Sequence, residues 1–174
     1  AAKGFPQRLY VNVGVLDVAS LDRNLAKYNT FGYADDHFTV RGVGEDVSDG
    51  ALGTHSAWFL QPYDDAPGVT GKNVTPMATL AQIARIAARD NFQVSIHAIG
   101  DRANREVLDM YQKIFDEDPA AHALRFRIEH AQHLNPADIP RFAQMGVIAS
   151  MQSIHTCSDA PMVVPRLGEQ RAKE

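Results

Sequence analysis

Residues 92–130, FQVSIHAIGDRANREVLDMYQKIFDEDPAAHALRFRIEH, decide how this chain is read. FQVSIH at 92–97 is short, apolar and bounded by turn residues, as a buried strand is; RANREVLDMYQKIFDED at 102–118 reads as a helix, and RFRIEH at 125–130 as a second strand. Working outward, Thr75 can cap a helix over 76–90 in which Pro76 holds the first position and Leu80, Ile83, Ala84, Ile86 and Ala87 recur at helical spacing. On the other side Asn135 as cap, Pro136 in the first turn and Gly146 as stop frame a helix over 136–145. VIASMQ at 147–152 supplies the next strand.

Further upstream, RLYVNVGV at 8–15 reads as a buried strand followed by a helical segment near 21–28. Residues 30–53 are rich in Gly and Asp, with a short strand over 38–43, and 54–72 is a long Pro/Gly-punctuated loop of the kind that is functional or mobile. The C-terminal RLGEQRAKE is charged and reads as helical or frayed. Alternating strands and helices imply a parallel sheet, because a parallel strand needs a crossover to return to the same edge. An open doubly wound sheet and a closed barrel both satisfy the pattern. The whole of 1–174 is expected to be one domain or part of one.

The 174 residues carry a formal net charge of -4 and no basic block that would track a phosphate backbone, so nucleic acid is not an expected partner. No apolar run approaches the roughly 20 residues that span a bilayer. Nothing in the sequence directs export, which makes the cytoplasm the default compartment. One cysteine, Cys157, excludes an internal disulfide framework and leaves histidine and carboxylate as the plausible metal ligands.

Two strands end in histidine, His97 and His130, at the carboxyl edge where parallel α/β enzymes place their sites. Two neutral imidazoles on adjacent strands can approach a metal at about 2.0–2.1 Å each; the alternative for either is a hydrogen-bonded structural histidine. Asp101 is expected to cap the helix it begins. Alternation sends Glu129 away from the face of His130 and makes it a partner of Arg125 or Arg127. His155, near Gln152 beyond the 147–152 strand, can reach the same edge; His55, Gln152 and His155 are the candidate substrate contacts. Trp58 and Phe59 read as core lids, and His37 and His122 as surface residues.

DGALGTHSAW at 49–58, HAIGDRANREVLD at 97–109, RFRIEHAQHLNPADIPRFAQMGVIASMQ at 125–152 and SDAPMVVPRLGEQRA at 158–172 together resemble the YtcJ-like branch of the amidohydrolase superfamily, also called amidohydrolase family 3. The resemblance covers Asp49 to the C-terminus. It implies an α/β fold, part of a (β/α)8 barrel of the TIM type spanning about strands three to seven, in a family whose barrels carry a small accessory β-domain. The activity it implies is hydrolysis of C–N bonds other than peptide bonds in amide or N-acyl small molecules. Bound zinc or another divalent metal, one or two ions, would polarise the carbonyl and acidify a water towards pKa about 7. By the same resemblance His97 ends barrel strand five and His130 barrel strand six, both as metal ligands.

The chain departs from the family pattern in three places. No His-x-His pair occurs among its seven histidines. The strand-four ligand, often a carboxylated lysine, finds no lysine in RGVGEDVSDG at 41–50, so Glu45 or Asp46 is the nearest group and Glu45 is the expected third ligand. Asp159, in SDAPM, resembles the catalytic aspartate of the last strand, yet follows the seventh strand with no helix between; it is the candidate base. A closed barrel typically needs roughly 250 residues, so the chain is expected to be an incomplete, inactive piece of an enzyme. Open sheet edges make a homo-oligomer the expected state. The rival reading is a noncatalytic α/β scaffold that has lost its metal centre.

Overall fold

In a computed structural model, which describes residues 7–173, the elements run β1 (Leu9–Val13), α1 (Val18–Asn24), β2 (Thr30–Gly32), the four-residue turn α2 (Tyr33–Asp36) and β3 (Phe38–Val47). There follow α3 (Met77–Arg89), β4 (Gln93–Ala98), α4 (Asp101–Glu117), β5 (Arg127–His130), α5 (Ile139–Met145), β6 (Ile148–Ser150), the single turn α6 (His155–Ser158) and α7 (Ala160–Arg171). The N-terminal AAKG and the final Glu174 lie outside the described residues.

The strand order is β1-β3-β4-β5-β6, all parallel, with β2 paired antiparallel to β3. Each successive parallel strand is added on the same side without reversal. A doubly wound sheet reverses direction at a switch point, so of the two architectures open to the alternation, this order is consistent with five successive strands of a (β/α)8 barrel wall. Val94, Ile96 and Ala98 of β4 are fully buried, in one core with Leu80, Ile83, Ala84 and Ala87 of α3 and Val107, Leu108, Tyr111 and Ile114 of α4. Tyr111 is buried whole: its ring meets Phe126 edge-on at 5.0 Å, and its hydroxyl donates to the Arg127 carbonyl at 2.9 Å, which satisfies the one polar atom an aromatic of this type brings into a core.

Several boundaries and roles differ from the sequence reading. β1 is not a buried strand but an edge strand, with Leu9, Tyr10 and Val11 exposed, because the described residues offer it a neighbour on one side alone. β3 runs ten residues rather than six, through Gly42 and Gly44, which local composition disguises as loop. Residues 54–72 are packed rather than loose: Phe59 and Tyr63 are buried with Leu52, Ala57, Ile99 and Leu167, and the Phe59 and Tyr63 amides donate to Thr70 and Val69 carbonyls. Thr75 does not cap; its amide donates to Val47, and Pro76 occupies the cap position of α3. Asn135 caps a turn, accepting the Ala137 amide at 3.0 Å, and α5 starts later at Ile139. Gly146 ends α5 with φ 68°, as a C-terminal glycine should.

Candidate metal centre

His97 reaches the carboxyl edge of the sheet by simple alternation. Ser95 and His97 share the face of β4 opposite the buried Val94 and Ile96, and in register they lie beside Arg127 and Glu129 of β5. Glu129 accepts from Ser95 Oγ at 2.5 Å and from Arg127 Nε at 2.6 Å, so it is the structural partner of Arg127. Burial alone would raise the Glu129 carboxyl; hydrogen bonds from Arg127, Ser150 and Ser95 outweigh it and hold the group below the usual range.

His130 arrives differently. Strict alternation would place it with Ile128 on the helix face, away from Glu129. Instead His130 has φ 71° and Ala131 φ 43°, left-handed values uncommon for non-glycine residues, and the turn swings the imidazole back over the site face. The His97 and His130 rings then meet edge to face with centroids 4.6 Å apart. The expected separation of Glu129 and His130 fails at this last residue of the strand because backbone torsion, not pleat, sets its direction.

Glu45 is presented by a bulge. Between the pairs Val43↔Val94 and Asp46↔Ile96, β3 advances three residues while β4 advances two, which re-aims the intervening side chain. Glu45 Oε1 lies 3.0 Å from His97 Nδ1 and 3.1 Å from His130 Nε2. Among the described residues, one donor atom from each of Glu45, His97 and His130 can be chosen so that all lie within 4.8 Å of one another. Asp46, the other carboxylate of that segment, is turned away: its Oδ2 is buried without a hydrogen-bond partner, and desolvation pushes the carboxyl up to about 6.

The donor set fits a cation. His97 Nε2 faces the Gly50 carbonyl at 3.4 Å, and His130 Nδ1 faces Gln152 Oε1 at 2.7 Å. If each imidazole donates its proton to that outer acceptor, the inner nitrogens present lone pairs to the Glu45 carboxylate, and three lone pairs converging within hydrogen-bond distance call for a positive charge between them. Behind His97 sits Asp49, fully buried, accepting amides of Trp58 (2.7 Å), Ile99 (2.9 Å) and Gly100 (2.9 Å), with Oδ1 3.6 Å from His97 Nε2. Burial raises its pKa against the pull of those amides. The sequence reading passed over Asp49; a lone Asp-Gly after a strand looks like an ordinary turn.

The other candidates are placed as follows. Gln152 and His155 stand around His130 rather than in open solvent, with His155 Nε2 3.2 Å from His130 Nδ1. Asp159 is outside the Glu45 group, one helical turn (α6) beyond the seventh-strand equivalent; it accepts from Gln132 Nε2 at 2.7 Å and from His155 Nδ1 at 3.2 Å. Burial would raise Asp159, but Ser158, Gln132 and His155 hold it below the usual range. Gln132, Gln152, His155 and Asp159 line a cavity of about 220 Å³ with His130 and Met151. His55 is not drawn in: its Nε2 pairs with Asp65 at 2.9 Å and its ring packs on Tyr63. Asp101 does not cap α4 but accepts the Leu60 amide at 2.8 Å, tying the 54–72 segment to the helix. Trp58 lies under the Arg102 guanidinium at 4.5 Å, and His122 is exposed yet stacked on Phe115 at 4.2 Å. No helix among the described residues is long and apolar enough to cross a membrane.

Comparison with known proteins bears on this geometry. The solved structures it resembles include an uncharacterized metal-dependent hydrolase from Pyrococcus furiosus, with TM-score 0.78 and 26% identity over 95% of this chain and 32% of that one. Another, from Pyrococcus horikoshii OT3, has TM-score 0.77 and 28% identity over 94% of this chain and 31% of that one. Among curated proteins, Protein LONG AFTER FAR-RED 3 of Arabidopsis thaliana is 43% identical over 128 residues, 71% of this chain and 21% of its own length. "Putative amidohydrolase YtcJ" of Bacillus subtilis (strain 168) is 36% identical over 126 residues, 72% of this chain and 23% of its own length. The chain thus spans about a fifth of the curated relatives it matches. The model of the amidohydrolase family matches residues 5–174, and the chain belongs to that family.

Proposed function

We propose that this chain carries part of the metal centre of a hydrolase acting on non-peptide C–N bonds, in amide or N-acyl small molecules, with Glu45, His97 and His130 holding a divalent ion, zinc in the first instance. The observation that carries the reading is the convergence of His97 Nδ1 and His130 Nε2 on one Glu45 oxygen at 3.0 and 3.1 Å, while the outer nitrogens face oxygen acceptors. A bound ion of this kind supplies Lewis-acid polarisation of a carbonyl and a water acidified towards neutrality. The chain's own residues hold and orient: the β3 bulge presents Glu45, the left-handed turn at His130 presents the second imidazole, and Asp49 steadies the backbone that follows His97.

One carboxylate and two imidazoles make an incomplete hydrolytic site: the sequence holds no His-x-His pair, and Asp159, the candidate base, hydrogen-bonds to Gln132 and His155 rather than joining the trio. Negligible turnover of N-acyl substrates by the 174-residue chain is therefore part of the proposal, and appreciable turnover would overturn that part. The deciding experiment is metal content by inductively coupled plasma mass spectrometry, beside His97→Ala and His130→Ala. Near-stoichiometric zinc, lost in both variants, supports the centre. A metal-free unmodified protein that cannot be reloaded sinks it and favours the scaffold reading.

A further inference from the structure

We infer that Gln152 is a positioning residue that keeps a proton on His130 Nδ1, with His155 and Asp159 as a second arm against the same nitrogen, and so leaves Nε2 as the nitrogen that a cation beside Glu45 would take. What this means for metal binding rests on the proposed centre; the tautomer does not.

Two chains of hydrogen bonds lead to the same nitrogen, and the first fixes its proton. The Ser150 carbonyl can only accept, and Gln152 Nε2 lies 2.9 Å from it, so the amide nitrogen faces Ser150. Gln152 Oε1 is thereby left facing His130 Nδ1 at 2.7 Å, and since a carbonyl oxygen can only accept, Nδ1 donates. The second arm begins at Asp159. Its carboxylate takes Gln132 Nε2 at 2.7 Å and Ser158 Oγ at 2.8 Å, and lies 3.2 Å from His155 Nδ1, which donates to it. His155 Nε2 in turn lies 3.2 Å from His130 Nδ1, so this arm seats a second ring against the same nitrogen. Gln152 Oε1, held by the Ser150 contact, therefore fixes a proton on His130 Nδ1. Nε2 faces the Glu45 carboxylate at 3.1 Å and is the nitrogen that a cation held there would take. This gives Asp159 a place behind the ligand, at two removes, rather than among reacting atoms.

The test reads the tautomer directly. Long-range 15N–1H spectra of chelator-stripped, histidine-labelled protein, with His130 assigned by comparison with His130→Gln, are expected to show a protonated Nδ1. Gln152→Glu keeps an acceptor oxygen and keeps that signature. Gln152→Leu combined with His155→Phe removes both polar neighbours of Nδ1, shifts the proton to Nε2, and weakens zinc binding about 10- to 100-fold, as loss of outer partners of a ligand does. A His130 Nδ1 without a proton in the unmodified protein overturns the inference whatever the variants do, as does a folded double variant with Nδ1 protonation and affinity unchanged. The predicted tautomer without zinc binding would uphold the positioning role and sink the metal centre; zinc binding with the opposite tautomer would do the reverse.

Discussion

Glu45 Oε1 lies 3.1 Å from His130 Nε2 although the two residues are 85 apart in sequence. Their meeting depends on a bulge in one strand and a left-handed turn at the end of another. Replacing Glu45 by Ala removes the negative member of the trio, so zinc affinity measured by chelator competition should fall by more than the about 10- to 100-fold expected for an outer partner such as Gln152. An unchanged affinity would leave the carboxylate a bystander.

Gly44 makes that geometry possible. It holds φ +123°, and a Cβ built on it would lie 2.2 Å from the Ser95 carbonyl oxygen. Gly44→Ala should cost at least about 1–3 kcal/mol in denaturant unfolding and weaken zinc binding with it, because strain and steric overlap fall at the bulge that presents Glu45. Gly146→Ala offers the contrast: φ is +68° but a Cβ there meets nothing within 4 Å, so it should cost about 1–2 kcal/mol and leave the metal untouched. Equal effects of the two on binding would refute the assignment of the bulge.

Asp49→Asn keeps the shape but offers an amide where three backbone N–H groups now find a carboxylate. Leaving one buried donor facing another should cost about 2–3 kcal/mol. Denaturation midpoints within error of the unmodified protein would show that the three amides are satisfied elsewhere.

Burial pushes the His133 imidazole down to about 4. Above the unfolded value, about 6.5, neither state carries the proton and the ring contributes no pH dependence. As pH falls from about 6.5 towards about 4, the unfolded chain takes up a proton that the folded chain refuses, so stability should decline across that window. His133→Phe, beside Phe59 at 5.6 Å, should flatten the slope, as read from unfolding at successive pH values. An identical slope would mean that the ring titrates alike in both states.

β1 and β6 end the described run of parallel strands, and Tyr10 of β1 is 49% exposed. Unpaired edges of this kind template self-association, so the purified chain should be non-monomeric by light scattering. A monodisperse monomer would contradict this.

Hydrophobic periodicity made most of the scaffold readable. α3, α4, β4 and β5 fall within two residues of where spacing and turn residues put them, because each buries one face against the same core and that requirement is written locally. β3 was half hidden, since its glycines, needed for close approach to its neighbours, look like loop composition. His97 was legible as the last residue of a strand, whose direction follows from alternation.

By itself the sequence determined the α/β class, the parallel sheet, and the histidines at two strand ends, since all three follow from period and position along the chain. The tertiary structure alone decided how a bulge aims Glu45 at those histidines and buries Asp46 Oδ2, that His130 swings onto the face alternation denied it, and that Asp49 and Gln152 stand behind them. Those outcomes depend on a bulge, on positive φ values and on hydrogen bonds closed over tens of residues. Backbone torsions and long-range partners of this kind have no local period to betray them.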